Sequence, residues 1–179
     1  MNYQVTEKDQ QGDALDERVI EIARVAKVVK GGRRFQFRVT LIMCDNHGKV
    51  GMGIGKANAV PDAMRKATDR ARKDLHQIHL SKTTIPHQST AKVGGSIVLL
   101  KPASPGTGVI AGGGVRAVLE AVGIHDILTK SLGSSNVMNG VQATLHALEA
   151  LKSPQEEAAR RGKLVDDLLP YWERRKKHG

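Results

Sequence analysis

A run of eight residues, Lys27-Val28-Val29-Lys30-Gly31-Gly32-Arg33-Arg34, has the composition of a phosphate-binding site. It holds four cations, two adjacent glycines and no acid. Arg can bind phosphate through two parallel hydrogen bonds, Lys binds it as a point charge, and glycine lets a backbone approach a partner closely. The run predicts a basic finger that reaches into folded nucleic acid through Lys27, Lys30, Gly31, Gly32, Arg33 and Arg34. An ordinary solvated hairpin tip is the alternative, since turns are rich in glycine and polar residues.

A second group of glycines alternates with nonpolar residues in Lys49-Val50-Gly51-Met52-Gly53-Ile54-Gly55-Lys56. This alternation predicts a strand whose nonpolar side chains form one face and whose other face is almost bare backbone. A strand interior that loses half its side chains is weakened, so the close approach of a partner is a good reason for the pattern. We expect RNA contacts here from Lys49, Gly51, Gly53, Gly55 and Lys56.

Two glycine-rich motifs resemble nucleotide-binding loops without matching them. In Gly51 to Ala57, three residues instead of four separate Gly51 from Gly55-Lys56, and Ala57 replaces the hydroxyl that would bind magnesium. The stretch Gly106-Thr107-Gly108-Val109-Ile110-Ala111 fits a dinucleotide-binding pattern, but Pro102 and Pro105 separate it from the preceding strand. A glycine-rich loop that leads into a helix can equally bind one backbone phosphate or a protein neighbour.

Other catalytic and metal-binding signatures are missing from the sequence. The seven histidines form no HExxH motif, and His76 and His79 lack a cysteine or acidic pair to complete a metal site. The single cysteine, Cys44, lies in a nonpolar run and is predicted to be a small buried hydrophobe. We therefore predict a protein that is not an enzyme and has no cofactor, no bound metal and no small-molecule substrate.

The charge distribution indicates an anionic partner. The net charge is +10, and residues 18–80 carry 14 Lys and Arg against five acids. Only five aromatic residues are present, so stacking of bases on aromatic side chains is not the expected main binding mode. No nonpolar run approaches the roughly 20 residues that span a membrane. The polar, acidic first 17 residues resemble neither a signal nor a transit peptide, which predicts a cytoplasmic protein.

The periodicity predicts two α+β domains. Residues 1–17 read as a disordered acidic tail, and residues 18–80 as three strands (18–29, 35–43 and 49–56) followed by one helix. Pro61 suits the first turn of that helix. Its inward positions repeat at three- and four-residue spacing as Val60, Met64, Ala67, Ala71, Leu75 and Ile78. Arg65, Lys66, Arg70, Arg72 and Lys73 form a basic outer face, for which simple solvation is the alternative to RNA contact.

The second domain is predicted over residues 84–152, after a linker at 81–84. Its expected order is β-β-α-β-α: strands at 84–93 and 96–101, a loop at 102–114, a helix at 115–122, a strand at 124–132 and a helix from Asn136 to about Leu151. Gly123 is expected to end the first helix and Asn136 to cap the second. Residues 153–179 predict a polar helix that begins at a Ser153–Glu156 capping box, followed by a basic tail at 174–177.

The motifs, taken in order, resemble the bacterial family of the fifth protein of the small ribosomal subunit. They cover residues 18–165 and are Arg24-Val25 with Val29-Lys30-Gly31-Gly32-Arg33, Gly48 to Ala57, Val60-Pro61, Pro102 to Gly113, Arg116-Ala117-Val118-Leu119-Glu120, and Ala159-Arg160-Arg161-Gly162-Lys163.

This resemblance implies a fold and a set of partners. It implies an N-terminal domain like a double-stranded-RNA-binding fold and a C-terminal domain with a left-handed βαβ crossover. It implies binding to small-subunit ribosomal RNA, a place near the channel through which messenger RNA enters, and an influence on translational accuracy. The finger would lie near the spectinomycin site. The loop with Gly106, Gly108, Gly112, Gly113 and Arg116 would face small-subunit protein four, and the C-terminal domain would approach protein eight.

Two alternatives stay open. A free regulator that binds double-stranded RNA would need the basic first domain but has no evident use for the long glycine loop of the second. A small kinase-like enzyme would suit the general fold of the second domain. It lacks the expected magnesium-binding hydroxyl and acids.

Overall fold

The computed structural model describes residues 15–170 and 172, and it confirms the predicted α+β class with two four-stranded sheets that carry helices. The predicted basic tail at 174–177 lies outside the described residues, as do residues 1–14 of the predicted acidic tail. Residues 16 and 17, which were assigned to that tail, instead begin the first strand. None of the helices in the described part of the chain is both long and nonpolar enough to cross a membrane.

The first sheet is antiparallel throughout, with strand order β1-β2-β3-β4. Its elements are β1 (Asp16–Val29), β2 (Gly32–Cys44), β3 (Lys49–Ala57), α1 (Val60–Lys73) and β4 (Leu75–Gln77). The three predicted strands and the helix are present. The helix is shorter than predicted, because it ends at Lys73 and the next residues pair with β3 as a fourth strand. Leu75 and Ile78 had been included in the helix because they continue its three- and four-residue spacing. That match is a coincidence, because Leu75 lies in β4 and Ile78 in the loop after it.

Helix α1 lies on the glycine face of β3. Gly51, Gly53 and Gly55 are buried there, and a Cβ built on Gly53 would overlap the backbone carbonyl of Ala67. The side of the helix that meets them is made of small residues, Ala63, Ala67 and Ala71. The structure therefore corrects the interpretation of this face. The partner that approaches the bare backbone closely is the chain's own helix, and the three glycines are not at an RNA-accessible surface.

The second sheet is mixed, with strand order β5-β6-β8-β7. Its elements are β5 (Ser89–Val93), β6 (Ser96–Pro102), β7 (Val109–Ile110), α2 (Gly113–Val122), β8 (Ile127–Gly133) and α3 (Val137–Glu149). The two-residue strand β7 was missed within the predicted loop; it pairs parallel with β8, so that β7, α2 and β8 form a βαβ unit. The left hand of that crossover stays a prediction.

Several predicted boundaries in the second unit are corrected. The first strand begins at Ser89 instead of residue 84, because residues 81–84 form a compact turn in which Ser81 and Thr84 pair with each other. This turn is also anchored, since the Thr83 carbonyl accepts hydrogen bonds from the backbone N–H groups of His125 and Asp126. The predicted linker is therefore a packed part of the fold. The last strand begins at Ile127, and Gly123 ends α2 in the left-handed conformation as predicted.

The predicted side-chain caps are not formed. Asn136 stands at the N-cap of α3 and Ser153 at the N-cap of α4 (Pro154–Arg161), but neither side chain bonds the helix backbone. The Ser153 hydroxyl instead donates to the Gln155 side-chain oxygen, so the capping box does not close. A further short helix, α5 (Val165–Leu168), follows.

One nonpolar core joins the two sheets. The face of the first sheet opposite α1 contributes Ile42, Cys44, Val50 and Met52 to the cluster that contains the inner sides of α2 and α3. Cys44 is fully buried, as predicted, and burial raises the pKa of its thiol. The base of the first sheet is thus covered on both faces, which leaves its far end as the part that can reach a partner.

Candidate nucleic-acid interface

The predicted finger is the end of the β1–β2 hairpin. Strand β3 pairs with β2 only as far as Phe37, whereas the β1–β2 ladder continues to the pair Val29 and Gly32. The last five residues of β1 therefore belong to a two-stranded ribbon that projects about 16 Å past the sheet, at ~3.3 Å per residue. The first strand ends at Val29, as predicted. The second strand was predicted to begin at Phe35, but the structure extends it back to Gly32 and leaves a two-residue turn at Lys30 and Gly31.

The hairpin register places cations on both faces of this ribbon. Lys27 is paired with Arg34, and Val28 is paired with Arg33. Paired residues share a face and successive residues alternate, so Lys27 and Arg34 lie on one face and Arg33 on the other. Lys30 lies at the tip, and all four cations are exposed. A ribbon charged on both faces and at its tip can neutralise phosphates that surround it.

Glycine is required at the tip by backbone geometry. Gly31 has a φ of 91° and Gly32 a φ of 153°. The first value lies in the left-handed region, which costs a residue with a side chain about 1–2 kcal/mol. A Cβ at either position would meet no neighbouring atom, so space is not the constraint. The two glycines serve the turn and leave the tip narrow.

Sequence reasoning missed a fifth cation at the base of the ribbon. The Arg24 guanidinium lies 3.9 Å from the centroid of the Phe35 ring, which is 48% exposed. Such a stacked pair is worth about 0.5–1 kcal/mol at an exposed site. The sequence could have indicated this contact through its period-two alternation. A hairpin that turns at Lys30 and Gly31 places Arg24 and Phe35 on the same face and diagonally opposite each other. Arg24 shares the face of Arg33 and extends the charge toward the sheet.

The ribbon's charge has no internal compensation among residues 15–170. None of Lys27, Lys30, Arg33 and Arg34 forms an ion pair with a described acid, and residues 22–44 contain no Asp or Glu. The nearest acid on β1, Glu21, lies 3.6 Å from Arg38 at the base of the hairpin. A projecting element with uncompensated positive charge favours binding to an anion over packing against the protein.

The two predicted cations of β3 are separated by the fold. Lys56 is exposed and lies opposite Arg38, on the face that carries Lys27 and Arg34. Lys49 is at the other end of β3, about 23 Å away at ~3.3 Å per residue, and it pairs with Gln77. The structure therefore places Lys56 at the base of the finger, about 13 Å along β2 from Arg34 at ~3.3 Å per residue, and leaves Lys49 outside that group.

The glycine loop between β6 and α2 is held by a buried carboxylate. The Gly108 N–H donates to Asp126 Oδ1 at 3.0 Å. This bond, with others from the Thr83 side chain and the backbone of Gly106 and Thr107, lowers the pKa of the Asp126 carboxyl below its ordinary value of 3.8. Gly106 and Gly108 have φ values of 87° and 78°, which explains why both are glycine. Asp126 was not singled out from the sequence, where nothing marks it as a partner of the loop.

The remaining predicted loop residues present open surface beside this anchor. A Cβ on Gly106, Gly108, Gly112 or Gly113 would meet no atom within 4 Å. Arg116 turns back onto the protein: its Nη2 donates to the Val109 carbonyl at 2.8 Å, and its Nε lies 3.2 Å from Glu120. Arg116 therefore braces β7 against α2 while it remains half exposed.

The nucleotide-binding and metal-binding motifs have no structural support in the described chain. The residues from Gly51 to Lys56 lie within β3, not in the strand-to-helix loop that cradles phosphates. The stretch from Gly106 to Ala111 contains β7 and ends just before the N-cap of α2 at Gly112, so it is not the tight strand-to-helix turn of a dinucleotide-binding loop. Among residues 15–170 and 172, no three side chains of His, Cys, Asp or Glu are grouped to hold a metal ion.

Comparison with protein families agrees with the geometry of both units. Residues 15–79 match the family model for ribosomal protein S5, N-terminal domain. Residues 91–161 match the model for ribosomal protein S5, C-terminal domain. The two matches together span most of the chain, in the order in which the two sheets occur. The chain therefore belongs to the ribosomal protein S5 family, and it is a structural, non-enzymatic component of the small ribosomal subunit that binds ribosomal RNA.

Proposed function

We propose that the finger is the main RNA-binding element, and that folded ribosomal RNA surrounds it on both faces. The observation that carries this proposal is the register of the hairpin, which puts Lys27 and Arg34 on one face, Arg33 on the other and Lys30 at the tip. Phosphate contacts position a protein on RNA without reading its sequence, and the deep, narrow groove of an RNA helix favours recognition by shape and backbone. Lys56 extends the contact at the base, and the backbone of Gly31 and Gly32 lets the tip approach closely.

The test is assembly of a finger variant into the subunit. In Lys30→Glu with Arg33→Glu, two exposed cations that form no ion pair with a described acid become acids, so the folded state should be unchanged while RNA repels the tip. We expect weakened incorporation into small subunits on sucrose gradients and an unchanged circular dichroism spectrum. Lys152→Glu with Lys163→Glu is the matched control, since both lysines are exposed and distant from the finger in sequence. Normal incorporation of the finger variant would contradict the proposal.

The wider role follows from the family resemblance. In this proposal the chain supports subunit assembly near the channel through which messenger RNA enters, influences translational accuracy, and acts in the cytoplasm on the ribosome. Retention on the small subunit after a high-salt wash would indicate integral assembly through folded RNA and protein neighbours. Loss at moderate salt would instead indicate a peripheral electrostatic contact, because counterion release makes such binding steeply dependent on salt.

The glycine loop is the proposed contact with small-subunit protein four, and the C-terminal unit approaches protein eight. The support for the loop is its open surface at Gly106, Gly108, Gly112 and Gly113, next to Arg116. Gly112 has a φ of −69°, so a larger residue there fills the surface without backbone strain. We expect Gly112→Arg to weaken the contact with protein four and to change misreading of a reporter codon, with the unfolding transition unchanged. Unaltered binding to protein four would contradict this assignment.

A further inference from the structure

The outer face of the second sheet has a regular pattern that the finger and the glycine loop leave unexplained. The strand register defines three cross-strand rows on this face. They are Lys92, Ile97 and Leu132; Thr90, Leu99 and Lys130; and Lys101, Leu128 and Ile110. We name these nine residues the outer face. Each row contains one lysine and at least one large nonpolar side chain, and no row contains an acid.

The opposite face of the same strands holds the core. Val98, Leu100 and Ile127 are fully buried in the cluster that includes α2 and α3. Because side chains alternate along a strand, the residues between them point away from those helices. On that side Leu128 is 39%, Leu132 45% and Ile110 53% exposed. Single exposed leucines are common on protein surfaces, whereas a contiguous set on one sheet face marks an interaction site.

We infer that the outer face docks an acidic segment of a neighbouring protein in the small subunit, one that carries nonpolar side chains between its acids. The exposed leucine and isoleucine side chains argue for a protein partner, because a phosphate backbone offers charge but little nonpolar surface to pack against them. The three lysines without an acid argue for negative charge on that protein, since complementary charges fix the register of an interface. The lysines lie on three different strands, so the acids of the partner must be spread across the sheet.

This inference rests on assembly of the chain into the small subunit, but the finger proposal and the coverage of the outer face can fail separately. Assembly is measured first, by sedimentation of the variant chain with the small subunit. Coverage of the outer face is then measured only in the assembled particles. A chain that assembles with its outer face open would leave the finger proposal intact and overturn this one.

The probe is a cysteine at Leu128. Cys44, the only native cysteine, is fully buried, so Leu128→Cys gives one accessible thiol. We expect alkylation of this thiol to be about tenfold slower or more in washed small subunits than in the purified chain, as for a surface that is covered at least nine-tenths of the time. Equal rates in the two states would overturn the inference. Leu132→Cys serves as a second probe if Leu128→Cys does not assemble.

Charge and identity of the partner are tested on the same probe. Lys101→Glu with Lys130→Glu should restore most of the alkylation rate in the particle, while Lys101→Arg with Lys130→Arg should not. A benzophenone attached at position 128 should crosslink to a protein segment whose sequence is acidic and contains nonpolar residues. A crosslink to RNA, a crosslinked segment without excess acid, or no effect of the glutamate variants would overturn the inference.

Discussion

Two glycine-containing segments of the first sheet require glycine for opposite physical reasons. At the finger tip, a Cβ on Gly31 would meet empty space, and the backbone angle alone requires glycine. In β3, the backbone of Gly53 is unexceptional, and the required feature is space, because helix α1 lies against it. One segment is exposed, at the tip that we propose binds RNA, and the other is buried beneath α1. The difference shows that a run of glycines in the sequence does not by itself say whether the backbone needs an unusual angle or needs space for a neighbour.

The largest expected effect is that of Gly53→Ala. The added Cβ would overlap the Ala67 carbonyl, and backbone of α1 or β3 would have to move to admit it. We expect a loss of more than about 3 kcal/mol in the free energy of unfolding, above the usual cost of overpacking. Urea denaturation measures it. Gly113→Ala is the control, since its Cβ meets nothing and alanine favours a helix. Similar stability of both variants would remove the packing explanation.

The next effect concerns the glycine loop, through Asp126→Asn. The folded chain favours the ionised carboxylate, so this stabilisation is complete above the ordinary pKa of 3.8 and is lost as the pH falls through the lower folded value. Thermal melts should therefore show the variant less stable than the native chain at neutral pH. The two should converge when the pH falls well below 3.8. A difference that stays constant into acid would mean that the charge of Asp126 is irrelevant to the loop.

A smaller effect separates the two faces of the finger. Lys27→Gln and Arg33→Gln each remove one cation, from opposite faces, and neither should change the unfolding transition. Each should weaken binding to small-subunit ribosomal RNA and reduce the slope of log affinity against log salt by roughly 0.7–0.9, because one phosphate is no longer neutralised. Titrations at several salt concentrations measure both. If only one of the two variants shows weaker binding and a smaller slope, the RNA does not surround the ribbon.

The smallest effect is that of Gly31→Ala on stability. The left-handed backbone at Gly31 costs alanine about 1–2 kcal/mol, and the open space adds no clash. Urea denaturation should show a loss well below that of Gly53→Ala. A larger loss at Gly31 than at Gly53 would reverse the comparison between the two segments.

The sequence predicted the elements with strong periodicity and missed those without it. The alternation from Phe35 to Met43 specified β2 correctly, and the cations of the finger were found because they are adjacent in the chain. Strand β7 has only Val109 and Ile110, too few residues to show a period, and it exists because β8 offers a parallel edge. The role of Asp126 depends on a loop that is 18 residues away in sequence, which local pattern does not reveal.

The glycine face and the outer face show a different limit. The alternation of glycine and nonpolar residues along β3 was predicted correctly, but tertiary packing decides what covers each face. Helix α1 was predicted from its own periodicity, which does not say where on the sheet it lies. The outer face could not be predicted from the sequence for the same reason. Its rows join residues from β5, β6, β7 and β8, which become neighbours only through the strand order.

The finger is a ladder of matched pairs closed by a two-residue turn, and this constrains how its length can evolve. A residue inserted in one strand alone would shift the pairing and transfer every cation beyond it to the opposite face. One residue added to each strand keeps the pairs but still reverses the faces nearer the tip. Only two residues per strand lengthen the finger with its charged faces preserved. Related chains should therefore differ in finger length, where they differ at all, by steps of four residues.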